Sequence, residues 1–163
     1  MFKKYPLYTV SIIVLAILQH FVFSKLVILN ASPDLLCLII ALISMSLGQR
    51  TGTTYGFAAG LIMGFLSGNL GLSALVGTVE GFAAGFFHVP EDSHATSMHK
   101  KRMFYIASLT ALLSGNILQA LLNNPLSLPM YVRLPEMAIL GTGMSMLIAT
   151  LMYHLVLKKF MRD

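Results

Sequence analysis

A glutamate sits inside an apolar stretch, at Glu80 in LSALVGTVEGFAAG, and is the first residue here that could carry chemistry. A charged side chain at the centre of a membrane-spanning helix costs about 2.5 to 3.5 kcal/mol even on lenient scales, so Glu80 must face protein or water, or be protonated. Its possible roles are a ligand contact, a proton site, or a hydrogen bond that packs one helix against another. Histidines at 88, 94 and 99 share one polar segment, but spacings of six and five put no pair on a common helical face. Metal sites use tighter motifs with cysteines or acids, so no metal and no other cofactor is expected. His20 and His154 lie near the ends of apolar runs and suit interfacial or hydrogen-bonding roles. Cys37, the single cysteine, has no disulfide partner within the chain and reads as a small packed residue.

Paired carboxylates, a nucleophile beside a base, an HExxH and a phosphate loop are all missing from the sequence, so no enzymatic activity is expected. The composition, 56 % apolar with 10 % charged residues, departs far from the soluble average. It predicts an all-α integral membrane protein built as a single transmembrane domain over residues 1–163. The net charge of +5 sits between apolar runs rather than along a stripe, which argues for topology signals and against nucleic acid as a partner.

Six spanning helices are expected, over about 7–23, 33–47, 53–66, 71–87, 103–122 and 135–157. The first, although preceded by lysines, lacks the small-residue site of a cleaved leader. The second begins with Ser32 as a capping hydroxyl, Pro33 at the first helical position and Asp34 facing the helix dipole. Pro135 and Glu136 suggest the same kind of start for the sixth. The segment 123–134, apolar with prolines at 125 and 129, suits either the membrane interface or the mouth of a cavity. In the fifth helix Ser114, Asn116 and Gln119 form no clear stripe. Methionines at 144, 146 and 152 leave room for a pliable partner surface. Nine Lys and Arg fall on the side of the termini against two on the other, which predicts cytoplasmic N- and C-termini.

Glycine recurs every fourth residue at 48, 52, 56, 60, 64 and 68, and again at 77, 81 and 85. Each interior glycine would cost a soluble helix about 1 kcal/mol relative to alanine. Between membrane helices the same spacing clears a strip on which two backbones can meet. The expected helix ends assign Gly48, Gly52 and Gly68 to turns. Gly56, Gly60 and Gly64 then form the strip of the third helix, facing Gly77, Gly81 and Gly85 of the fourth. A repeat of four advances by about 40° per step on a helix of 3.6 residues per turn, favouring a crossed neighbour.

Pro33-Asp34-Leu35, Gly56 to Gly60, Ser67-Gly68 followed by Leu70-Gly71-Leu72-Ser73-Ala74-Leu75, and Gly81 to Gly85 occur in an order that resembles the rod shape-determining protein MreD family. The resemblance covers about residues 33–87. Where that family often carries an acid before the Ser-Gly turn, this chain has Gly64. The resemblance implies a noncatalytic scaffold in the bacterial inner membrane, surrounded by membrane lipid, within the machinery that elongates the lateral cell wall. Its implied partners are MreC, the filament MreB, and RodA with its penicillin-binding partner. It also implies a six-helix fold similar to the substrate-binding subunits of energy-coupling-factor vitamin importers, so a solute-binding importer subunit is the alternative function. Such subunits typically present an AxxxA pair on the first helix; here Ala16 has Ile12 and His20 four residues away.

Overall fold

A computed structural model describes residues 4–22, 33–90, 95–123 and 129–154. All elements among these residues are helices: α1 (Lys4–Phe21), α2 (Leu35–Leu47), α3 (Gln49–Ser67), α4 (Leu70–Gly85), α5 (Ser97–Leu122) and α6 (Met130–Met152). Two of them, α5 and α6, are long and apolar enough to cross a membrane. The glycines and threonines of α3 dilute its hydropathy. Ser32, Asp92, His94 and the terminal Lys158, Lys159 and Arg162 lie outside the described residues.

The centre of the fold is α2. Its sequence is apolar on every side, the pattern of a helix with no solvent face, and eleven consecutive residues from Leu35 to Met45 are buried. The other five helices all pack against it. With 13 residues it is roughly 20 Å long, well short of the ~30 Å hydrocarbon core of a bilayer.

The observed helix ends correct several expectations. The residue that caps α2 is Asp34, not Ser32: its extended backbone (φ −107°, ψ 94°) lets its carboxylate accept the Cys37 N–H at 2.9 Å, leaving Pro33 just outside the helix. The chain then reverses at one residue, Gly48, whose φ of 91° favours glycine. Thus α3 begins at Gln49, and Gly52 belongs to its buried face rather than to a turn. Gly68, with φ 80°, closes α3 as a left-handed cap, as its place before Asn69 suggests. Thr96 caps α5, which therefore starts six residues earlier than the apolar pattern alone implies.

Pro135 does not begin a helix. It lies inside α6, between the α-helical Met130–Pro135 and a π-helical segment, Glu136–Gly141, after which Thr142–Met152 is α-helical again. Proline lacks the N–H that would bond four residues back, and a wider turn at this point is one way to continue the helix past it. Of 123–134, the part from Met130 is therefore helical, and residues 124–128 lie outside the described set.

Candidate functional site

Two kinds of helix contact meet on α4. Along one face its glycines approach α3 in an antiparallel register, Gly85 against Gln49, Gly81 against Gly52 and Gly77 against Gly56. Gly60 and Gly64 continue it against Ser73–Ala74 and Asn69–Leu70. A Cβ on Gly60 would stand 2.8 Å from the Ala74 Cα, and one on Gly64 2.7 Å from the Leu70 Cα, so neither helix could carry side chains there without moving apart. The strip expected from the spacing is present, and Gly52 extends it. Ser44 of α2 ties into it by donating to the Gly81 carbonyl at 3.0 Å.

The other face of α4 carries Glu80, which is 4 % exposed and points toward α5. A Cβ on Gly115 would collide with its carboxyl group, so glycine at that position of α5 makes the space Glu80 occupies. The Cys37 thiol is fully buried on α2, the helix that packs against both α4 and α5. Sequence reasoning missed Gly115, because the reason for it lies 35 residues away in Glu80.

A second polar group joins α1, α2 and α6. The Gln19 side chain donates from Nε2 to Asp34 Oδ1 at 3.0 Å, and its Oε1 accepts the Leu36 N–H at 2.7 Å. Together Asp34 and Gln19 satisfy two of the backbone donors that a helix N-terminus leaves free. Ser145 of α6 accepts the Asp34 N–H at 2.8 Å while donating to Gly141 O in the π-helical segment. Nearby Asn116 of α5 donates to Thr142 Oγ1 at 3.0 Å.

Between these groups lies a cavity of about 240 Å³, bounded by α1 through α5. Asp34, Glu80 and Gln19 line it, as do Asn116, Gln119 and Asn123 of α5. The last three recur at intervals of three and four, one helical face, so a stripe was present in the sequence once Ser114 is set aside. Ser114 instead bonds its own helix at Ala111 O. Asn123 places the cavity at the C-terminal end of α5.

The remaining candidates are scattered. His88 lies at the opposite end of α2, where its Nδ1 is 2.8 Å from Met45 O and the Val89 N–H bonds the same carbonyl, so it closes the helix C-terminus. His99 is on the exposed start of α5, and His154 bonds Thr150 O in its own helix. His20 packs edge-on against Phe21. Met144, Met146 and Met152 are all half-buried, and Met146 and Met152 pack in part against the hydrophobic core. Among the described residues no three His, Cys, Asp or Glu are grouped to hold a metal ion. Comparison with protein-family models, with curated proteins and with solved structures found no match to this chain.

Proposed function

We propose that this chain is a noncatalytic scaffold subunit of the bacterial inner membrane, spanning it six times with both termini in the cytoplasm. In this reading it binds MreC and links it to MreB and to RodA with its penicillin-binding partner during cell-wall elongation. The basis is the resemblance over 33–87, and the observation that supports it is how that region is used. Its glycines are consumed within the subunit, helix against helix. Outward-facing apolar side chains remain elsewhere, such as Val10, Val14 and Phe21 on α1 and Ile139, Leu147 and Leu151 on α6. These suit lipid or the helix of a single-span partner.

The alternative, a solute-binding importer subunit, draws support from the polar cavity. Its volume is below the 300–1,000 Å³ typical of ligand pockets for larger small molecules. The α1 face that importer subunits offer to their transport partner is also turned inward here, since Ile12 and Ala16 are buried in the core. Crosslinking and mass spectrometry of the protein purified from native membranes separate the two readings. Recovery of an MreC-like protein and wall synthases is expected. Recovery of paired ATPases in their place would overturn the scaffold.

A further inference from the structure

The cavity beside Glu80 has a chemical character that neither reading specifies. Two carboxyl-bearing side chains, Asp34 and Glu80, line it, and among the described residues no Lys, Arg or His does. Asp34 is engaged through Oδ1 by Gln19 and by the N-terminus of α2. Glu80 has no such engagement. Although it is 4 % exposed, no amide, hydroxyl or cation of the described residues hydrogen-bonds its carboxyl group. A carboxylate removed from water and left without a strong donor or a cation is costly. The fold nevertheless preserves room for this one, through a glycine at 115 whose Cβ would strike it. The opposite wall adds amides of Gln119 and Asn123, which can both donate and accept.

We propose that this cavity binds a small organic cation bearing a primary ammonium group, with the ammonium against Glu80 and the ligand's polar end on the α5 amides. Size supports an organic ion over a bare inorganic one, because about 240 Å³ is the liquid volume of roughly eight waters. The ligand grouping needed for a multidentate metal site is also missing among the described residues. The inference holds under either functional reading, since a scaffold can carry a resident ligand as readily as an importer subunit can carry cargo.

The single cysteine supplies a reporter. Cys37 is fully buried on α2, which forms one wall of the cavity, so its labelling by a maleimide requires the surrounding helices to open. The full-length protein in detergent is titrated with ethanolamine and with putrescine, with sodium chloride, tetramethylammonium and sorbitol as comparison solutes. At saturating amine, labelling is expected to slow by about tenfold or more, and the unfolding temperature to rise. Glu80→Gln should abolish both effects. So should Gln119→Leu, which leaves Glu80 in place and fills the far wall, and which decides the matter if the first variant does not fold. Protection by neither amine would overturn the proposal. So would equal protection by sodium chloride, tetramethylammonium or sorbitol, or amine protection that survives in a folded variant of either kind.

Discussion

The two faces of α4 solve opposite problems with neighbouring residues. Gly81 lies on the seam with α3, where side chains are excluded and backbone meets backbone. Glu80, one residue earlier, points the other way, into space that α5 keeps open for it. The seam is specified by the absence of atoms and tolerates none being added. The polar side is specified by hydrogen bonds made by flexible side chains, which can adjust. Substitutions of similar size should therefore have very different costs on the two sides.

The seam should be the more fragile. Gly60→Leu is expected to prevent α3 and α4 from closing, and to yield no monodisperse folded protein on size-exclusion chromatography. Even Gly60→Ala places a methyl group against backbone atoms that cannot turn aside. It should cost about 3 kcal/mol and lower the unfolding temperature by on the order of 10 °C. A thermal unfolding curve indistinguishable from that of the parent would show that the helices are farther apart than described.

On the polar side Asp34→Ala removes the α2 cap and the partner of Gln19. The expected loss is about 2 kcal/mol, at the upper end for a helix cap because α2 is the central helix. Asp34→Asn should recover most of it, since an amide oxygen can still accept the Cys37 N–H. Equal losses for the two would mean that charge rather than the cap matters. Gly115→Ala meets the end of a flexible side chain, so it should cost only about 1 kcal/mol. That cost should shrink in a Glu80→Ala background, a coupling that a double-mutant cycle reads directly.

The same contrast governs how much could be read from sequence. The seam was legible because its code is local: glycine at a fixed interval on two adjacent segments states both the face and the neighbour. Gly52 escaped only because Gln49, Arg50 and Thr51 look like a loop, although a single glycine at 48 is enough to reverse the chain. The Pro33-Asp34 pair announced a helix start but not which residue caps it. The identical logic failed at Pro135, where upstream residues already form helix and a π-helical segment carries the chain through. The cavity was hidden for a different reason. Its walls come from Gln19, Asp34, Glu80 and the 116–123 face, which only tertiary packing brings together. No interval in the sequence relates them.

Ser108 and Ser44 sharpen the comparison at its smallest scale, because both are fully buried serines and both can lose a hydroxyl without changing shape. Ser44 spends its hydroxyl on the Gly81 carbonyl, across the junction of α2 with the seam. Ser108, inside α5, has no partner for its Oγ among the described residues. Two helical positions away, Thr110 does use its hydroxyl, on the carbonyls of its own helix. A buried hydroxyl without a partner is destabilising, whereas a bonded one contributes about 1 kcal/mol net. Ser44→Ala should therefore lower the unfolding temperature by a few degrees, and Ser108→Ala should raise it slightly, by up to about 1 kcal/mol in stability. Opposite signs from one chemical change would locate an unsatisfied hydroxyl at Ser108 of α5. A loss of stability in Ser108→Ala would instead mean that its hydroxyl is bonded, by water or by a partner subunit, and that this part of α5 is not a dry interior.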